Sequence, residues 1–208
     1  MKRDSGYGVV ANWNYVTISL IVVVVLTILV LYMPGIREFD RGMLNGIRHF
    51  LAPYPSYIPA FVSEFGRANY MLWPQIAACS VLVSHGKYLK AFLLVFFTHA
   101  AFFLTALLKD FVCRERPGIC SYPGWSFPSN HASTTMCFYG ICMYLILHYT
   151  RSEFWRYFLA IVFGLFIFLV ALSRIWIGVH FPLDVIAGLF LGFLLVNLYI
   201  ILVKAFNN

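Results

Sequence analysis

The sequence specifies an all-α bundle of six membrane-spanning helices, with an interfacial amphipathic helix between the first span and the second. Three observations lead there. Of the 208 residues, 62% are hydrophobic and only 11% charged. The mean hydropathy of +0.81 implies more apolar surface than one water-soluble core can bury. Charge-poor runs of bilayer-spanning length recur six times, at 15–33, 68–84, 91–108, 132–147, 157–172 and 185–203. The connections between them are short and free of low-complexity linkers, so residues 1–208 read as a single domain.

The first run is longer than the apolar region of a signal peptide. It reaches Met33-Pro34-Gly35 without a small-residue cleavage site, which marks a retained anchor. The long connection at 34–67 is itself patterned. Met43, Leu44, Ile47, Phe50 and Leu51 fall on one helical face and Arg41, Asn45 and Arg48 elsewhere, as in a helix lying in the membrane interface. Such a helix either covers the bundle or forms a lip that recruits anionic lipid, and Pro53, Pro55 and Pro59 then break it. Cys79, Cys137 and Cys142 fall within spans, where small apolar packing is their expected role. Among the spans, Gly188-x-x-x-Gly192 in the last allows close helix approach within the bundle. His99, inside the third span, is expected to bond to a neighbouring helix.

An even number of spans puts both termini on one side and the loops after the third and fifth spans on the other. With Lys109, Arg116 and Arg174 set aside for a chemical role, the remaining basic residues give a slight bias toward termini inside. The net charge of +7 is spread singly among loops, with no basic run or helical stripe. That excludes a nucleic-acid interface and points to anionic lipid or phosphate as the partner. The five cysteines have no metal-binding spacing.

Three segments carry the chemistry: Lys109–Pro117 (KDFVCRERP), Pro128–His131 (PSNH) and Ser173–Asp184 (SRIWIGVHFPLD). The first alone is an ordinary charged loop and the second an ordinary helix start, whereas the third is moderately specific. Together, in order, at helix ends on one face, they place ionisable groups where the membrane makes them expensive unless they function. Lys109, Arg116 and Arg174 offer permanent positive charge to a phosphoryl group. Ser129 is positioned as the N-cap of the fourth span, whose free N–H groups suit an anion. Pro182 suits the first position of the last helix, and Asp184 its first turn. From there Asp184 can accept the Nδ1 proton of His180 and leave Nε2 as a nucleophile. His131 is placed to protonate a leaving oxygen and then to activate water. Phosphoryl transfer mainly needs charge stabilisation, so this inventory requires no metal or other cofactor.

These segments resemble the three-part signature of the type-2 phosphatidic acid phosphatase family, Lys-x6-Arg-Pro, Pro-Ser-Gly-His and Ser-Arg-x5-His-x3-Asp. The resemblance covers Lys109 to Asp184. It implies a phosphohistidine on His180, oriented by Asp184, with His131 as acid and base and Lys109, Arg116, Ser129, Asn130 and Arg174 around the phosphate. Asn130 departs from the pattern, standing where the family usually has Gly. Asn accepts left-handed backbone better than most residues, although its side chain narrows the site.

The resemblance further implies a multi-pass protein of the bacterial inner membrane with its site on the periplasmic or outer face. Expected substrates are undecaprenyl diphosphate, phosphatidate, phosphatidylglycerophosphate or lipid A. A phosphotransferase using the same intermediate is the alternative. A non-enzymatic lipid transporter is a more distant one, since its charges would line span interiors. Cys113 and Cys120 bracket Arg116; their spacing permits a disulfide without demanding one.

Overall fold

A computed structural model describes residues 13–119 and 122–206. Cys120, and with it the question of a Cys113–Cys120 bridge, lies outside the described residues. Among the described residues the chain forms eight helices and no strands: α1 (Trp13–Tyr32), α2 (Ile36–Leu51), α3 (Tyr57–Glu64), α4 (Ala68–Ser84), α5 (Tyr88–Val112), α6 (Asn130–Tyr149), α7 (Glu153–Ile177) and α8 (Pro182–Ala205). The six apolar runs correspond to α1 and α4 to α8. Helix α5 outruns its apolar stretch at both ends, because Lys90 and Lys109 interrupt hydropathy but are good helix formers. By length and composition α1, α5, α7 and α8 are apolar enough to cross a membrane. Helix α4 has only 17 residues, and α6 opens on Asn130, His131, Ser133, Thr134 and Thr135. Four helices therefore meet the spanning criterion outright, rather than six.

The connection between α1 and α4 folds into two helices where one was expected. Pro59 does not break α3. It is the third residue, in the first turn, where an N–H would have no intrahelical partner. Helix α2 packs against α7 and α8, and its apolar stripe covers the bundle: Leu44 is fully buried against Ala132, Ala171, Ile175, Phe181 and Val185. Phe50 leaves the expected stripe and is 75% exposed. At 100° per residue it lies at the edge of the arc, whereas the centre is taken by Asp40, one turn before Leu44 and 0% exposed.

Helix α8 is the hub, packing on α6, α1, α5, α7 and α2. Its closest approach is to α6, where Gly188 and Gly192 lie on the backbone of the partner. A Cβ at Gly188 would come within 2.5 Å of the Ser129 carbonyl oxygen, and one at Gly192 would strike that of Ser133. The core away from the site is built of Leu94, Phe97, Phe138, Ile141 and Tyr199, with Cys137 among them and Cys79 and Cys142 packed at its edge. Outward faces of α1, α5 and α7 carry exposed Ile21, Phe92, Phe96, Phe103, Ile161 and Leu165, as lipid contact demands. Among the described residues His99 has no hydrogen bond to another helix. Its Nδ1 meets the Val95 carbonyl one turn back in α5 at 2.9 Å, the acceptor its own helix supplies.

Candidate active site

The end of α5, the starts of α6 and α8 and the end of α7 meet at one face of the bundle and bring the three motif segments together. Gly178 ends α7 with φ +81°, a left-handed turn that glycine takes at no steric cost. The chain doubles back, so that the backbone N–H groups of Val179 and His180 both donate to the Arg174 carbonyl. Pro182 then opens α8. Asp184 caps that helix, its Oδ2 accepting from the Phe181 N–H at 2.8 Å. Ser129 takes the N-cap position of α6 but makes no capping bond through its side chain; its N–H donates to the Asp184 carbonyl at 2.9 Å. Asn130 is the first helical residue of α6. Its backbone is not left-handed, so its tolerance of that geometry is not used here.

Asp184 is fully buried and its oxygens are occupied. Oδ1 takes Arg114 Nη1 at 2.6 Å, and Oδ2 takes the Ser126 hydroxyl as well as the Phe181 N–H. Arg114 also reaches Asp40 Oδ2 at 2.8 Å, and Asp40 Oδ1 accepts from the Leu183 N–H at 3.1 Å. His180 Nδ1 faces Asp184 Oδ2 at 3.5 Å, longer than an ordinary hydrogen bond. Asp184 thus has closer partners than the histidine that the sequence assigned to it. The tautomer follows from the other nitrogen. Arg116 Nη1 lies 3.3 Å from His180 Nε2, and because a guanidinium only donates, Nε2 carries the lone pair and Nδ1 the proton. Burial holds the His180 imidazole down at about 3, against a smaller upward pull from Asp184. It is therefore neutral at ordinary pH.

Lys109, Arg116 and Arg174 are held in a different way. Lys109 Nζ donates to the Trp125 and Ser126 carbonyls. Arg116 donates to the carbonyls of Gly124 at 3.0 Å and Val179 at 2.8 Å. Arg174, 3% exposed, donates to the Ser63 hydroxyl. The Tyr122 ring lies 5.0 Å from the Arg116 guanidinium and 5.7 Å from that of Arg174. Among the described ion pairs none joins these three cations to a carboxylate. Beside them, Ser129 Oγ, Asn130 Oδ1, His131 Nε2 and Arg174 Nε are buried without a hydrogen-bond partner. His131 is held close by Gly66, where a Cβ would come within 2.8 Å of the imidazole Cδ2. Cations with no carboxylate in direct contact, beside the unused Ser129 hydroxyl, are chemically suited to an anion. Among the described residues no group of three or more His, Cys, Asp or Glu side chains is placed to hold a metal ion.

The model of the PAP2 superfamily matches residues 90–208, which include all three segments. The chain belongs to the PAP2 superfamily. Phosphatidylglycerophosphatase B of Bacillus subtilis (strain 168) is 27% identical over 205 residues, 93% of this chain and 96% of that protein. The bacitracin transport permease protein BcrC of Bacillus licheniformis is 42% identical over a shorter stretch of 69 residues, 33% of this chain and 29% of that one. The crystal structure of the transmembrane PAP2-type phosphatidylglycerolphosphate phosphatase from Bacillus subtilis superposes with a TM-score of 0.77 at 22% identity, covering 94% of each chain. The PAP2 fold thus extends over the N-terminal helices that the motifs leave out.

Sequence reasoning brought the eight motif residues to one place and missed those that hold them. Asp40, Ser63, Arg114, Tyr122 and Ser126 were not singled out. Asp40 left a signal, a carboxylate in the middle of an apolar stripe at 40, 44, 47 and 51. Arg114 left none, since nothing in a loop sequence separates a paired arginine from an unpaired one.

Proposed function

We propose that the protein removes the terminal phosphate of a membrane lipid phosphate or diphosphate through a phosphohistidine on His180, without a metal ion. Membership of the superfamily and the full-length likeness to a phosphatidylglycerophosphatase make the chain a membrane hydrolase of lipid phosphates. The observation that carries the mechanism is the set of three uncompensated cations around the lone pair of His180 Nε2. In the first step Nε2 attacks phosphorus, the bond to the lipid oxygen breaks, and His131 gives that oxygen a proton. Water then attacks, its proton passes to His131, the P–N bond breaks and inorganic phosphate leaves. Lys109, Arg116 and Arg174 carry the charge that spreads over the phosphoryl oxygens, with Ser129 and the α6 N-terminus as further donors.

The proposal includes six crossings, by α1 and α4 to α8, in a bacterial inner membrane with the site on the periplasmic or outer face. The shared end of the motif helices and the slight charge bias support it. The expected substrates are those the motifs suggest, and the name of the full-length relative puts phosphatidylglycerophosphate first among them. Purified protein in detergent with a chelator, offered phosphatidylglycerophosphate, phosphatidate, undecaprenyl diphosphate and lipid A, is expected to release phosphate from at least one. His180→Gln is expected to abolish release with the fold intact, and His131→Ala to accumulate acid-labile phosphate on His180. Activity surviving in His180→Gln, or release from none of the four, overturns the proposal. Phosphate delivered to an added alcohol in preference to water changes the reading to a phosphotransferase.

A further inference from the structure

Helix α2 has a second face that the phosphate site does not use. Its apolar stripe covers the bundle, and Asn45, Arg48 and His49, spaced i, i+3 and i+4, share a polar face beside it. That face opens on a cavity of 610 Å³ between α2, α3 and the end of α7, whose lining includes Asn45, Arg48, His49, Tyr54, Ser56 and Trp176 and none of the eight motif residues. Arg48 Nε donates to the Trp176 carbonyl at 3.1 Å, and its two Nη groups make no described hydrogen bond. None of the described ion pairs includes Arg48, and the lining contains no carboxylate. Ser56 is the N-cap of α3 and makes no capping bond through its side chain, so its hydroxyl is not taken up by the helix it opens.

The level of the cavity is that of lipid headgroups. Trp176 is in the last turn of α7, a helix long and apolar enough to cross a membrane, and its ring meets that of Tyr54 edge-on at 6.2 Å. Trp and Tyr at the end of a span mark the boundary between hydrocarbon and water. Phe50, Tyr57 and Phe61, adjacent in sequence to the lining residues His49, Ser56 and Ala60, are each at least 67% exposed, as suits side chains that meet the bilayer. In that layer a guanidinium fork pairs with a phosphate. A lining without a carboxylate offers no counter-charge to the ammonium of a zwitterionic headgroup, whereas Asn45 and Ser56 suit the hydroxyls of an uncharged one.

We infer that this cavity binds the headgroup of an anionic phospholipid, with Arg48 and His49 on its phosphodiester, Asn45 and Ser56 on its hydroxyls, and the acyl chains against the exposed aromatics of α2 and α3. Helix α2 then recruits lipid as well as covering the bundle. Pro59 and Ala60 of the lining lie one turn before Ser63, which accepts from Arg174, so the bound lipid braces the helix that holds a cation of the phosphate site. Binding is read without turnover, as the rise in Tm of the full chain in neutral detergent when a ligand of the folded state is added, and so stands apart from the phosphatase reading. Phosphatidylglycerol is expected to raise the wild-type Tm, and phosphatidylcholine or inorganic phosphate at the same concentration to leave it unchanged. Arg48→Gln is expected to increase about tenfold the phosphatidylglycerol concentration needed for half of that rise, the loss of one charge-assisted hydrogen bond. Arg116→Met is expected to leave that concentration as in wild type. His49 is exposed, so His49→Leu, with a smaller increase expected, serves where Arg48→Gln fails to fold. No rise with phosphatidylglycerol, an equal rise with phosphatidylcholine or inorganic phosphate, or an unchanged concentration in the Arg48 and His49 variants overturns the inference. A rise lost in Arg116→Met and kept in Arg48→Gln puts the lipid in the phosphate site and overturns it as well.

Discussion

Arg114 and Arg116 are two positions apart in one loop, and their surroundings are opposite in kind. Arg114 lies between two buried carboxylates, Asp40 from α2 and Asp184 from α8, with its guanidinium 4.3 Å from the Phe181 ring centre. Arg116, with Lys109 and Arg174, is held by carbonyls and a hydroxyl that orient its charge without cancelling it. The first arrangement is a clamp that ties the amphipathic helix α2 to the start of α8, and so to the loop bearing His180. The second leaves the charge without a carboxylate in contact, as the proposed phosphate site requires. Counter-charge, more than residue type or sequence position, separates the surroundings of these two arginines.

The comparison can be broken in three ways, beginning with the largest effect. Arg116→Met removes a cation that no carboxylate balances. Turnover of a lipid phosphate is expected to fall about 10²–10³-fold, as when one donor to a developing negative charge is lost, while Tm in detergent stays at the wild-type value or rises. A fall in Tm with turnover intact would exchange the roles of the two arginines.

Arg114→Met leaves Asp40 and Asp184 buried without their shared partner. The expected cost is about 3–5 kcal/mol of stability, read as a lower midpoint in denaturant or heat. A variant as stable as wild type would show that the clamp does not hold the fold. Asp40→Asn, which keeps an acceptor for the Leu183 N–H, is expected to cost less.

The smallest effect is one of pH. Burial lowers the His180 imidazole from 6.5 to about 3 in the folded protein. Its contribution to stability is complete above pH 6.5. As pH falls below that value the unfolded chain takes up a proton that the folded protein refuses, and the contribution is lost. Between pH 6.5 and about 4 the wild-type Tm is expected to fall more steeply than that of His180→Gln. Parallel slopes would mean that the histidine is solvated rather than buried beside Lys109, Arg116 and Arg174.

The candidate site was legible where its signals are local. A lysine at a helix end, a proline opening the next helix and a histidine before it are each written in a few consecutive residues. The partners of the arginines are not: the Arg114–Asp184 contact joins positions 70 apart, and Ser63 meets Arg174 across 111. Such pairs depend on how α2 and α3 fold back over α7 and α8, which no short pattern specifies.

By itself the sequence determined an all-helical membrane protein, its apolar runs, and a set of motif residues at helix ends on one face. It could do so because a bilayer demands long apolar helices and makes ionisable groups costly except at their ends or in polar cavities. Tertiary structure decided which cations meet a carboxylate and which do not, and that Asp40 pairs with the arginine that also holds Asp184. Those outcomes depend on long-range packing, because a charge is compensated by whatever the fold brings within a few ångströms of it.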